Sequence, residues 1–100
     1  MIRGTTPTHI FRTNVDLTGA RVYITYAQDK KEILEKTGED VTVTNDSVSV
    51  TLTQTETLEF KPFKKVNIQI RYVFPNGSAG ASNIMNVDIS DVLKEGVIEP

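Results

Sequence analysis

The 100-residue sequence contains no cysteine and no tryptophan, a single histidine, and 11 basic against 13 acidic residues. Without cysteine there is no disulfide framework, no thiolate nucleophile and no cysteine-held metal. Small secreted domains commonly rely on such cross-links, so their absence favours a reducing compartment or a larger assembly. One histidine, His9, excludes a multi-histidine metal cluster and would have to serve any catalytic triad alone. No apolar run approaches the ~20 residues of a membrane-spanning helix. The opening Met1-Ile2-Arg3-Gly4-Thr5-Thr6-Pro7 lacks the apolar centre of a signal peptide. The expectation is a protein made and kept in a cytoplasm, with no membrane partner. A formal charge of −2 gives no general attraction to nucleic acid. The glycine-rich phosphate loops, the H-E-x-x-H zinc helix and the G-x-S-x-G nucleophile turn are all missing.

What is present is alternation. Ser47-Val48-Ser49-Val50-Thr51-Leu52-Thr53 places Val48, Val50 and Leu52 on one face of an extended chain. Lys65 to Phe74 repeats the pattern, with Val66, Ile68, Ile70, Tyr72 and Phe74 on one side and Asn67, Gln69 and Arg71 on the other. Between them Thr53-Gln54-Thr55-Glu56 matches a capping box. It predicts one helical turn over Gln54 to Leu58, with Leu58 and Phe60 plugging the core, until Pro62 ends it.

Ala20 to Gln28 reads as a strand with Val22, Ile24 and Tyr26 inward, and Thr8 to Asn14 as an edge strand. Lys31 to Thr37 reads as an exposed strand rather than a helical turn. Val41 to Thr44 pairs with Ser47 onward through an Asn45-Asp46 loop that calls for positive φ. Pro75-Asn76-Gly77 turns the chain into a last strand, Ala79 to Ile89. About seven short strands at this spacing predict a single all-β domain, an immunoglobulin-like antiparallel β-sandwich, with a small Greek-key barrel as the alternative. Residues 1–7 form a short N-terminal arm. Residues 91–100 form an apolar tail, either a short helix ending near Gly96 or a docking arm.

Few residues offer chemistry. His9 reads as a surface histidine on an edge strand. The carboxylates Glu39, Asp40 and Asp46, and again Asp88 and Asp91, read as solvated turn residues rather than a calcium site. Lys61, Lys64 and Lys65, with Phe63 among them and Arg71 beyond, have the composition of a strand-tracking nucleic-acid surface. Glu56 and Glu59 offset that field, and lysines also guard strand edges. Tyr23, outward with Arg21 and Thr25, suits a partner contact. No catalytic residue, cofactor or metal is implied.

The run Met1 to Phe11, the Tyr-Ala-Gln-Asp at Tyr26 to Asp29, the Leu-Glu-Lys-Thr at Leu34 to Thr37 and the Thr-Leu-Thr-Gln at Thr51 to Gln54 together resemble small proteins of Gram-positive prophages and mobile elements. That resemblance spans nearly the whole chain, and none of its motifs is catalytic. It implies a virion component similar to immunoglobulin-like modules of phage tails and baseplates, whose partners are other virion proteins or itself. Ile2, Ile10, Val97 and Ile98 are the expected arm contacts, beside Tyr23. The rival readings are a module that binds carbohydrate or a cell surface, and a nucleic-acid-binding barrel.

Overall fold

The computed structural model describes residues 1–100. Eight strands run in the order β1 (Thr8–Arg12), β2 (Arg21–Gln28), β3 (Lys31–Thr37), β4 (Val41–Val43), β5 (Ser47–Thr51), β6 (Val66–Val73), β7 (Ala79–Ala81) and β8 (Met85–Val87). One short helix, α1 (Gln54–Leu58), lies between β5 and β6. They form two antiparallel sheets, one of order β1-β5-β4 and the other of order β3-β2-β6-β7, with β8 also on β6. This is the strand order of an immunoglobulin-like sandwich, with β3 in the place of the extra edge strand of variable-type domains. No strand ladder joins one sheet to the other, so the barrel alternative does not form.

The two alternating segments that dominate the sequence lie in different sheets and face each other. Val48, Val50 and Leu52 of the β5 segment are buried against Val22, Ile24 and Tyr26 of β2 and Val66, Ile68 and Ile70 of β6. The helix that turns the chain across is the predicted one. Thr53 accepts from the Glu56 amide, and the Glu56 carboxylate accepts from the Thr53 amide at 2.8 Å. Phe60 is buried as expected, whereas Leu58 is only half-buried and Thr57 takes the fully buried place beside it. Thr57 Oγ1 donates to the Thr5 carbonyl and accepts from the Gly4 amide, so its hydroxyl is satisfied.

The edges show where local chemistry and tertiary demands meet. Asp29 and Lys30, with φ of 52° and 65°, make the tight turn between β2 and β3. A bulge then sets Ile33 beside the Tyr26–Leu34 pair as an extra residue, so adjacent Ile33 and Leu34 both reach the core margin. The Asn45-Asp46 hairpin forms, yet neither residue has the expected positive φ. Thr44 and Ser47 close it instead, through a 2.9 Å backbone bond and a 2.7 Å contact between their hydroxyls. The last strand is broken in two. Ser82 turns out of line to bond Ile70 through both its amide and its hydroxyl, and residues 82–84 leave the ladder. Gly80 lies just before the break, where a Cβ would come 2.4 Å from the Tyr72 hydroxyl on the paired strand, so a larger residue there would displace that ring. No helix forms in residues 91–100.

Candidate interaction surfaces

Residues 1–7, which carry no hydrophobic periodicity, are tied to the sandwich along their length. Arg3 donates its amide to Ser90 at 3.0 Å, and Ser90 donates to Met1 at 2.8 Å, making a parallel bridge beyond β8. The Arg3 side chain runs inward under α1 and is only 8% exposed. Its guanidinium donates to the carbonyls of Phe60 at 2.7 Å and Leu58 at 2.8 Å, and to Asp91 at 2.6 Å, with Glu95 as a fourth partner. That hydrogen bond holds the Asp91 carboxyl below the usual carboxylate range. The tail returns to the same end, where Gln54 of α1 exchanges two bonds with the backbone of Ile98, at 3.1 and 2.8 Å. Arm, corner helix and tail therefore share one end of the molecule.

The expected contact residues divide between surfaces. Ile2, Val97 and Ile98 belong to the arm–tail end and are 51%, 50% and 76% exposed. Ile10 stands apart on the outer face of β1, at 66% exposure. Tyr23 lies half-buried on the outer face of the larger sheet, with the Arg71 guanidinium 5.9 Å from its ring centre. Glu35 accepts from both Arg71 and Thr25 there, so the patch is a polar network. The structure does not bring these five residues together.

His9 is not the free surface histidine that its sequence position suggests. On β1 it points between the sheets, is half-buried, and its Nδ1 lies 2.7 Å from the Tyr26 hydroxyl. Its ring stacks near those of Tyr26 and Phe11. Burial, and secondarily the N-terminal ammonium, hold the His9 pKa below its ordinary value of 6.5. Burial likewise pushes the Tyr26 phenol up, so both groups are neutral around pH 7. A histidine kept neutral by the fold stabilises it above the unfolded pKa, and that stability is lost as pH falls from 6.5 toward the folded value. Thermal unfolding between about pH 7 and pH 5 should therefore show a falling midpoint that flattens in His9→Gln. A level midpoint over that window in the native chain would remove this role for the buried imidazole. The carboxylates act at lower pH, because their ordinary values are 3.8 and 4.5.

The lysine cluster does not make an open cationic track. Lys64 pairs with Asp29 at 2.8 Å and Lys65 with Asp88 at 2.5 Å. Phe63 is 79% exposed on the corner loop. The two carboxylate groups are also dispersed, and no three His, Asp or Glu side chains converge as a metal site would require.

A groove of about 400 Å³ opens beside the outer edge of β1. Phe11, Val15, Leu17, Tyr72 and Met85 supply its apolar walls. Thr13 also lines it, and its hydroxyl is buried without a hydrogen-bond partner. Sequence reasoning missed Leu17, which is 2% exposed inside a polar turn, and the buried polar anchors Arg3, Gln28, Lys36 and Thr57. Only Thr57 had a local signal, its place inside the capping segment.

No family model matches the chain, and no curated protein matches it. Among solved structures, it is similar to the V domain of amphioxus IgVJ-C2, at 12% identity over 89% of this chain and 96% of that one, with a TM-score of 0.34.

Proposed function

We propose that this chain is a non-enzymatic protein–protein interaction domain, serving as a tail or baseplate component of a prophage-encoded particle. The observation that carries the reading is the arm–tail end. Ile2, Leu93, Val97 and Ile98, half of the eight exposed large apolar side chains, lie on the arm and tail that meet α1. Exposed apolar groups concentrated in one region of a small domain are a mark of association surfaces. Arg3 and Gln54 hold the backbone of that end in place while leaving those side chains outward, a preorganised contact rather than a loose end. The resemblance of the sequence to prophage proteins supplies the setting, first the host cytoplasm and then the virion. The carbohydrate reading is weaker because Phe63 and Tyr23 share no groove. The nucleic-acid reading is weaker because Lys64 and Lys65 already face carboxylates.

The test is quantitative peptide mass spectrometry on particles purified after induction of a lysogen that carries the gene. Peptides of this chain at a fixed copy number relative to other virion proteins are expected. Their absence from intact particles would overturn the virion role.

A further inference from the structure

We propose that β1 is a self-association edge, and that two copies of this chain join by antiparallel pairing of β1 with β1 about a two-fold axis at Ile10. The inference deepens the interaction-domain reading and rests on it, naming a second copy as a partner at a surface separate from the arm–tail end.

The hydrogen-bond parity of β1 decides what that edge offers. Residues of β1 and β5 pair as Thr8↔Thr51, His9↔Val50, Ile10↔Ser49, Phe11↔Val48 and Arg12↔Ser47. Beyond the strand ends the same register continues, with the Leu52 amide on the Pro7 carbonyl and the Thr13 amide on the Asp46 carbonyl. Bonded and non-bonded pairs alternate in an antiparallel ladder. The pairs at 7, 9, 11 and 13 are therefore the bonded ones. The amides and carbonyls of Thr8, Ile10 and Arg12 point the other way, to the open side of β1, since β1 is the outer strand of its sheet.

The other sheet edges carry features that discourage pairing. β3 exposes the charged Lys31, Glu32 and Glu35 and is bulged, and β4 has three residues. The β7–β8 edge is broken, and the arm bridges its end at Ser90. β1 has no proline, no lysine and no bulge, and its central outward side chain is an exposed isoleucine. An edge of that kind is a template for another strand.

A two-fold axis at Ile10 makes the edge complementary to itself. Thr8 meets Arg12 of the other copy, Ile10 meets Ile10, and Arg12 meets Thr8, so no like charges oppose. Each of these three pairs exchanges two bonds, about six in all. Arg12 arrives already beside Asp46 of its own chain, at 3.4 Å. On the inner face His9 comes opposite Phe11, an aromatic cross-strand pair at the mouth of the groove that Phe11, Tyr72 and Met85 line. The result is one continuous six-stranded sheet, β4-β5-β1-β1-β5-β4.

The experiment is light scattering of the full chain at about 1–500 µM, the range suited to a small interface. A reversible dimer is expected for the native sequence, with slowed exchange of the Thr8, Ile10 and Arg12 amides. Ile10→Pro removes an amide that faces outward, so the β1–β5 ladder stays intact. It should weaken the dimer at least about tenfold while circular dichroism is unchanged. If that variant does not fold, Ile10→Lys, which keeps the amide and adds edge charge, takes its place. A native chain that stays monomeric throughout, or a folded edge variant that dimerises as before, overturns the proposal. Either result can coexist with finding the chain in particles, so the two readings fail separately.

Discussion

Replacing Glu56 with alanine is expected to lower stability by about 3 kcal/mol, or roughly 12–24 °C in unfolding midpoint for a chain of this size. Lys36 explains the magnitude. Its ammonium enters from β3 to the corner, only 9% of the side chain stays accessible, and Glu56 receives it at 2.9 and 2.8 Å. Burial alone would push the Glu56 carboxyl up. The Lys36 and Thr53 hydrogen bonds outweigh that, and the carboxyl lies below its ordinary 4.5. Glu56 also closes the capping box by accepting the Thr53 amide. Removing it strands a buried cation and an orphan helix amide in one step. The double variant with Lys36→Met should recover much of the loss, because two apolar groups leave no unpaired charge behind. Denaturant unfolding of the three variants measures both effects. A cost below about 1 kcal/mol for the single variant would mean that Lys36 reaches water in solution.

Arg3→Met should cost about 2–4 kcal/mol by the same measurement, mainly from the carbonyls of Leu58 and Phe60 that lose their donor at the end of α1. Methionine keeps most of the apolar stem, so the loss reports the guanidinium. Arg3→Lys should rescue less than half of it, since one ammonium cannot reach two carbonyls and the carboxylates in the same planar geometry. Limited proteolysis supplies an independent readout. Residues 91–100 should become readily cleaved in Arg3→Met while the strands stay resistant. Unchanged cleavage would assign tail anchoring to the Gln54–Ile98 bonds alone.

Both effects are large relative to the whole because the apolar core is small. Twelve buried apolar residues hold two sheets together, and a domain of this kind has only about 5–15 kcal/mol of net stability. Buried polar anchors around α1 and the segment after it therefore count heavily. They were also the residues hardest to read. Arg3 stands in an arm without periodicity, and Lys36 looks like one more solvated lysine in Lys-Glu-Ile-Leu-Glu-Lys. Gln28 closes β2 like any outward polar residue, yet it is 3% exposed and exchanges two bonds with the Lys61 backbone. Nothing local marks such residues, since their partners lie tens of positions away. His9 was misplaced for the same reason. Its environment is made by Tyr26 on the opposite sheet.

The contact residues follow a similar division. Alternation in β1 placed Ile10 and Phe11 on opposite faces, and only the packing of the two sheets made Ile10 the exposed one. Whether its amide faced β5 or open solvent depended on register, and register was set by the pairing of Thr8 with Thr51.

What the amino-acid order determined by itself depends on neighbours within a few positions, although the Asn45-Asp46 loop shows that even a local turn can close with other dihedrals than its residues suggest. The period-two faces of β2, β5 and β6 and the Thr53–Glu56 cap are of this kind, because side-chain alternation and the capping box are local properties. Only the tertiary structure decided which charged groups were buried, where the last strand broke, and which edge stayed open. Those outcomes depend on what the opposite sheet presents. The Tyr72 ring packs over Gly80, Glu56 reaches Lys36 across the corner, and the arm directs its hydrogen bonds to Ser90 and α1, leaving β1 without a neighbour.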